Sequence, residues 1–253
     1  MPTLDATEPL TARAATDVAA FYTARAPGPG PDTDVLAMQH DGKGVVMRPD
    51  ALREATAKTA TSRKLSTRLS RGEKRSRKRM AEVACVYDLT PLPRTVTDIL
   101  PADDQPRGKA RAAPTAHGKW LTASLTADTA RVIYAGFDEA TRRDPDQKRT
   151  WVALVDGNRH QIDRIRAEAR ARGLTVPILV DFVHVIEYVW AAAWCFHPEG
   201  DPAAQTWVPQ HARRILAGQA GIAAAAIRRK ATKQALDPRS FGKRRDEPAW
   251  RRR

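Results

Sequence analysis

Three aspartates of this chain follow short apolar stretches. They are Asp41 after residues 35–38, Asp156 after residues 151–155 and Asp181 after residues 176–180. The last two stretches are apolar throughout, which is typical of strands buried on both faces of a parallel sheet. A carboxylate that follows such a strand lies at the carboxyl ends of the strands, which is the edge of the sheet where α/β proteins build their sites. Converging carboxylates repel one another unless a divalent metal ion neutralises them, so the pattern indicates metal-dependent chemistry.

Each aspartate also has a purely structural interpretation. Asp41 and Gly42 form a dipeptide that is common in hairpin turns. Asp156 and Asp181 each precede a predicted helix, and aspartate is a good N-cap. If Asp181 caps its helix, His184 lies about one turn along on the same side, and Glu187 lies at the border of the polar and apolar faces.

The elements around these residues follow from hydrophobic periodicity. Helical spacing predicts helices at 5–25, 49–60, 129–143, 158–172 and 181–196, and further helix after residue 202. Strands are predicted at 35–41, 81–89, 120–125, 151–156 and 176–180. Residues 100–118 contain Pro, Gly and charge without periodicity, which predicts a mobile loop.

This order of elements predicts an α/β protein with a mixed five-stranded sheet and flanking helices. The first three strands can form an antiparallel meander, and the connections through helices require the last two to be parallel. That is the RNase H-like arrangement, in which the first and fourth strands are neighbours and Asp41 would meet Asp156. A doubly wound nucleotide-binding fold is the competitor, but residues 41–44 lack its glycine-rich turn and helix start.

The composition indicates a nucleic-acid partner. The 253 residues contain 43 Lys and Arg against 29 Asp and Glu, a net charge of +14, and the pI is near 10.4. Such a surplus favours a polyanion. Two cysteines suit a reducing compartment, and the apolar runs are too short for a bilayer. We therefore expect a soluble cytoplasmic protein, associated with the nucleoid and not with a membrane.

A dense basic run strengthens that expectation. Nine cations lie within residues 63–79, and they are Arg63, Lys64, Arg68, Arg71, Lys74, Arg75, Arg77, Lys78 and Arg79. Lys and Arg in such a run contact phosphates without reading sequence. The alternative is a solvated helix face. Few aromatic residues interleave with the charges, so stacking on single strands is not indicated.

The chain divides by composition into four segments. We predict an N-terminal helix with a Pro/Gly linker at 1–31, an RNase H-like core at 32–197, an all-α segment at 198–236, which the family resemblance given below implies is part of a helical insertion, and a disordered basic tail at 237–253.

Four motifs in order resemble a known family. They are residues 40–47 (HDGKGVVM), 71–82 (RGEKRSRKRMAE), 155–161 (VDGNRHQ) and 180–184 (VDFVH). This run is similar to the bacterial insertion-sequence transposases of the Kra group, distant kin of the Mutator superfamily. The resemblance covers roughly residues 35–235.

The resemblance implies an RNase H-like core whose Asp-Asp-Glu triad binds two magnesium ions, with Mn²⁺ as an alternative. By residue match, Asp41 is the first carboxylate and Asp156 the second. Asp181 and His184 occupy the place of a Cys-x-x-His motif, with Asp where Cys is usual. The implied activity is cleavage and transfer of double-stranded DNA at transposon ends, by a homo-oligomer or in a pair with a full-length transposase.

The third carboxylate is where the chain departs from the family. Relatives carry it after the helical insertion, and nothing after Leu236 matches its motif. We therefore expect a copy truncated at both ends, with low activity, and Glu187 as the in-chain candidate for the third carboxylate. The alternatives are a non-catalytic DNA-binding fragment and an unrelated structure-selective nuclease that uses Glu187.

Overall fold

The computed structural model describes residues 17–24, 26–48, 50, 78–101, 113–198 and 200–236. The chain forms two compact units. The first consists of Met1–Pro91 with Thr115–Leu179, and the second of Leu92–Pro114 with Val180–Arg253. None of the described helices is long and apolar enough to cross a membrane.

The described elements are five strands and seven helices. In chain order they are α1 (Val18–Ala24), β1 (Val35–Val46), β2 (Lys78–Leu89), α2 (Val96–Ile99), β3 (Ala116–Ser124), α3 (Thr129–Arg143), β4 (Trp151–Val155), α4 (Arg159–Ala171), β5 (Ile178–Val180), α5 (Phe182–Phe196), α6 (Pro202–Leu216) and α7 (Ala220–Lys233).

The five strands form one mixed sheet in the order β3-β2-β1-β4-β5. β2 is antiparallel to both β1 and β3, which confirms the predicted meander. β4 is parallel to β1, with Leu36 opposite Trp151 and His40 opposite Val155. The prediction that the first and fourth strands are neighbours is therefore correct.

One face of this sheet carries the main core. Alternate residues of β1 and β4 are buried there, and they are Leu36, Met38, Trp151, Ala153 and Val155. They pack with Ile133 and Phe137 of α3 and with Ile165 of α4. Because side chains alternate across a strand, the intervening residues of β1 and β4 lie on the opposite face of the sheet.

Local capping explains where the two core helices begin and end. The side chain of Asp128 accepts a hydrogen bond from the Arg131 amide and caps α3. Asn158 caps α4 by accepting from the His160 amide at 3.0 Å. Gly173 follows α4 with a φ of 67°, the left-handed conformation expected of the residue after a helix.

Some boundaries differ from those predicted. β1 continues to Val46, so Asp41 and Gly42 lie inside a strand and not in a hairpin turn. β3 already begins at Ala116, so the predicted loop at 100–118 extends too far at its C-terminal end. The short helix Val96–Ile99 was not predicted. The predicted helix 49–60, the basic residues 63–77, the tail at 237–253 and most of helix 5–25 lie outside the described residues.

A buried ion-pair network ties α3 and β4 to the end of β2. The carboxylate of Asp88 lies 3.1 Å from Nη1 of Arg143 and 2.6 Å from Nη2 of Arg149. Arg143 Nε donates to Oε1 of Glu139 at 2.7 Å. All four side chains are buried, so each charge depends on its partners for the compensation that water would otherwise give.

Asp144 extends this network into the start of β4. Its Oδ2 accepts hydrogen bonds from the Trp151 indole at 2.8 Å and from the Arg149 amide at 3.0 Å. Burial alone would raise the pKa of Asp144, but these hydrogen bonds outweigh it and hold the pKa below its ordinary value. The charged form of this buried carboxylate is therefore stabilised by donors and not by solvent.

The second unit contains three longer helices. Val189 and Ala193 of α5 pack against Ala204 and Val208 of α6. From α7, Lys230 Nζ lies 2.9 Å from Nε2 of His197. The same ammonium lies over the rings of Phe196 and Trp207, at 4.9 and 5.4 Å from their centroids.

The unit division places α5 with these helices, whereas the sequence analysis grouped residues 182–196 with the sheet. The strongly apolar sequence of α5 explains its place in the second unit, since Val189 and Ala193 supply part of that core.

The buried network predicts a large loss of stability when Asp88 loses its charge. Asp88→Asn leaves the Arg143 and Arg149 guanidiniums buried without their shared counter-charge. We expect the free energy of unfolding to fall by about 3–5 kcal/mol, as when one partner of a buried pair is removed. Urea denaturation followed by circular dichroism measures this loss.

The matched control is Asp146→Asn, which removes an exposed partner of Lys148. That variant is expected to unfold at the same urea concentration as the wild type. Equal midpoints for Asp88→Asn and Asp146→Asn would contradict a structural role for the network.

Candidate functional site

Asp41 and Asp156 lie at adjoining positions of two parallel strands. The last pair in the β1–β4 register is His40 with Val155, and paired residues of this kind are about 4.8 Å apart. Asp41 is the next residue of β1, and Asp156 is the first residue after β4. The register thus places the two predicted aspartates at neighbouring backbone positions, where the parallel pairing stops.

The face of the sheet on which Asp41 lies follows from the buried pattern. His40 and Val155 are both buried on the side of α3 and α4. Asp41, one residue along β1, therefore lies on the opposite face and is exposed. Asp156 directly follows β4 and is half-buried. Asp41 is therefore accessible from the face of the sheet opposite to α3 and α4.

Each carboxylate uses one oxygen in a local hydrogen bond. Asp41 Oδ1 accepts from the Gly42 amide at 2.7 Å, and Asp156 Oδ1 accepts from the Asn158 amide at 2.7 Å. Among the described residues, neither Oδ2 has a hydrogen-bond or ion-pair partner. Both side chains therefore keep an oxygen for a ligand, and no described cation neutralises their mutual repulsion.

The turn after β4 orients Asp156. Gly157 has a φ of 97°, which an L side chain rarely adopts, so glycine is required there. The predicted alternative that Asp156 caps α4 is wrong, because Asn158 holds the N-cap position. A cap two residues further on leaves Asp156 at the strand end and not in the helix.

His40 is a buried residue next to this pair that sequence reasoning did not single out. It is only 2% exposed, and neither ring nitrogen has a hydrogen-bond partner among the described residues. Burial lowers the pKa of His40 to about 4. The ring rests against Gly136 of α3, where an added Cβ would lie 3.0 Å from Cε1 of His40. Glycine at that position lets α3 approach β1.

Gln161 of α4 and Glu82 of β2 were also missed, and both lie near Gly42. A Cβ on Gly42 would be 3.7 Å from Nε2 of Gln161 and 3.9 Å from Oε1 of Glu82. Gln161 is 2% exposed, and its Oε1 has no partner among the described residues. Helical spacing could have found Gln161, because it lies four and eight residues before Ile165 and Ala169 of the buried stripe of α4.

The other predicted site residues belong to the second unit. Asp181 caps α5, since its Oδ1 accepts from the Val183 amide at 2.9 Å. Nδ1 of His184 lies 3.3 Å from Oε2 of Glu187, and both side chains are exposed by more than 40%. The structural interpretation of Asp181 as a cap is therefore correct, and Glu187 contacts His184.

The donor set at the sheet edge suits a hard cation. Carboxylate oxygens are the ligands that Mg²⁺ prefers, and one or two of them usually suffice when water and substrate phosphates complete the shell. Asp41 and Asp156 supply carboxylate oxygens of this kind. Within residues 17–236, excluding the gaps given above, no group of three or more His, Cys, Asp or Glu side chains is placed to hold a metal. A two-ion site with Glu187 stays a prediction.

Of the nine cations of the basic run, only Lys78 and Arg79 fall in the described part of the chain. They open β2, and Arg79 lies opposite Val45 of β1. The other seven, Arg63 to Arg77, lie outside the described residues.

No family model, curated protein or solved structure gives a significant match to this chain.

The buried state of His40 predicts a pH effect on stability. In the unfolded chain this histidine takes up a proton below its ordinary pKa of 6.5, but in the folded chain it does so only near pH 4. The unfolded state therefore binds more protons between these values, and stability falls as the pH falls through this window. His40 alone should remove about 3 kcal/mol by pH 4.

The comparison with His40→Leu isolates this contribution. Urea denaturation of both proteins from pH 7.5 to 4.5 should give a free energy of unfolding that falls more steeply for the wild type. Carboxylates titrate in both proteins, so their effect cancels in the difference. Parallel pH profiles would mean that His40 is not buried as a neutral ring.

Proposed function

We propose that this chain is an RNase H-like transposase core that catalyses metal-dependent cleavage and transfer of DNA strands. The observation on which the proposal rests is the parallel pairing of β1 with β4. That pairing brings Asp41 and Asp156, residues from distant parts of the chain, to adjoining positions at one sheet edge.

The topology supports the fold part of the proposal. An antiparallel meander β3-β2-β1, extended by β4 and β5, with α3 and α4 on one face, matches the RNase H-like order of elements. The insertion-sequence resemblance predicts Asp41 on the first strand and Asp156 after the fourth. A competing doubly wound sheet would not interleave a meander with parallel strands in this order.

The residues at the edge would act on a phosphate in a defined way. Asp41 and Asp156 would hold a Mg²⁺ ion through their Oδ2 atoms, while the Gly42 and Asn158 amides keep the Oδ1 atoms in place. When bound, such an ion lowers the pKa of an attacking water or hydroxyl and stabilises charge on the phosphate oxygens. The chain itself would position the two carboxylates, because a backbone amide donates a hydrogen bond to each of them.

Duplex DNA is the substrate that the charge favours. The net charge of +14 attracts a polyanion. The two carboxylates alone would repel a phosphate, so binding at the edge needs the cation as well as the basic residues around it. We place the protein with the bacterial nucleoid on the same ground.

A non-catalytic DNA-binding fragment is the second candidate. The observation in its favour is that the described residues assemble two carboxylates at the edge and no third ligand beside them. Such a fragment would bind duplex DNA with a steep dependence on salt and leave both strands intact.

Nicking of supercoiled plasmid in Mg²⁺ tests the proposal. We expect Asp41→Ala and Asp156→Ala each to reduce nicking by about 10²-fold or more, because either change removes a charged ligand aimed at the reacting phosphate. Gel electrophoresis of timed samples, with and without EDTA, measures the rate. Nicking that survives both substitutions would refute the assignment.

Two further variants make the result specific. Asp163→Ala removes an exposed carboxylate of α4 that lies 3.9 Å from Arg166, and it should nick like the wild type. Glu187→Ala should match the aspartate variants if Glu187 is the third carboxylate. A wild type that binds plasmid but never nicks it identifies the DNA-binding fragment.

A further inference from the structure

β1 and β2 run on past the rest of the sheet as a two-stranded ribbon. β4 pairs with β1 only as far as His40, and β3 pairs with β2 only from Glu82 onward. Beyond these points, Gly42–Val46 pair with Lys78–Glu82, and of these residues only Glu82 also pairs with β3, at Ser124. We call these ten residues the β-ribbon, and it begins immediately beside Asp41.

The register places two cations of the β-ribbon on the same face as Asp41. Lys43 and Val45 share the face of Asp41, because side chains alternate along β1. Arg79 is opposite Val45 and so lies on that face as well. Lys43 is about 7 Å from Asp41 along the strand, and Arg79 is about as far again. Each interval is about two steps of the 3.4 Å rise of a DNA strand.

The β-ribbon also presents backbone donors and exposed side chains. Except at Glu82, which pairs with Ser124 of β3, neither edge of the ribbon has a neighbouring strand among the described residues. Outward N–H groups on these edges can donate to phosphate oxygens. Lys43 is exposed, and Val45, Val46 and Met80 are 37%, 55% and 52% exposed. The ribbon is therefore an open surface next to the candidate site.

We infer that the β-ribbon is a docking surface for the phosphate backbone of duplex DNA, with Lys43 and Arg79 as its contacts. This inference rests on the proposed function and adds to it the path along which the DNA backbone leaves Asp41. The cations follow Asp41 on one face, so a strand held at Asp41 and Asp156 continues over Lys43 towards Arg79. The described ribbon contains no aromatic residue on which unpaired bases could stack, which favours a duplex over a single strand.

The charge balance of the β-ribbon agrees with that partner. Lys43, Lys78 and Arg79 outnumber its one acid, Glu82. Glu82 pairs with Gly42 and lies on the other face, away from Asp41. The face that continues from Asp41 is thus basic along its length.

The salt dependence of DNA binding tests this inference. Fluorescence anisotropy of a labelled 30-base-pair duplex is measured in EDTA, so that the result does not depend on metal or on catalysis. The slope of log K against log salt falls by about 0.9 for each phosphate contact removed. We expect Lys43→Ala and Arg79→Ala each to make the slope shallower by about that amount, and the double variant by about twice it.

The matched control removes two other exposed cations of the first unit. Lys148→Ala with Arg166→Ala gives the same change in net charge, and these side chains are 61% and 59% exposed and away from the ribbon. The control slope should equal that of the wild type. Circular dichroism and the urea midpoint confirm that each variant is folded.

Four results would overturn the inference in different ways. A ribbon variant with the wild-type slope, or a control that loses as much as the ribbon variant, would refute the ribbon as the DNA path while the proposed function stands. A change in sedimentation without a change in slope would assign the ribbon to pairing between copies. A wild type without salt-dependent binding would refute the proposed function as well.

Discussion

The parallel pairing of β1 with β4 is the constraint on which the rest of the structure depends. It fixes His40 against Val155, and from that single register follow the meeting of Asp41 with Asp156 and the burial of His40. A slip of one residue in this register would move Asp41 and Asp156 out of alignment with each other. It would also turn the buried residues of one strand towards the opposite face of the sheet. The core packed by α3 and α4 resists such a slip, because Met38, Ala153 and Val155 are all buried on one side.

The two ends of the sheet use charge in opposite ways. At the end of β2, Asp88 is surrounded by Arg143 and Arg149, so its charge is compensated within the protein. At the end of β4, Asp41 and Asp156 meet no cation among the described residues. The first arrangement links the end of α3 and the residue pair before β4 to the end of β2, and the loss of any of its charges should destabilise the fold. The second keeps negative charge uncompensated at an accessible edge, which costs stability unless a ligand neutralises it.

Much of this fold was predictable from the sequence, and the failures have identifiable causes. The helix at Thr129–Arg143 was predicted to the residue, because its apolar stripe and its cap at Asp128 agree. The extension of β1 to Val46 was not, since Gly42 and Gly44 break the apolar pattern although their partners in β2 still pair with them. The adjacency of Asp41 and Asp156 followed from topology alone. The burial of Arg143 did not follow, because a lysine or arginine in a helix normally signals a solvent-exposed face.

The charge of the whole chain bears on the unpaired aspartates. The chain carries 43 Lys and Arg against 29 Asp and Glu, and several acids in the first unit are paired with a basic side chain, as Glu139, Asp138 and Asp163 are. Asp41 and Asp156 lack one in the described region, although Lys43 is only two residues from Asp41. Lys43 lies further along the strand, about 7 Å away, so it attracts an approaching phosphate without neutralising the carboxylate at contact distance. A surface of this kind holds anionic and cationic groups side by side, and under the proposed function a phosphodiester with a divalent ion would satisfy both.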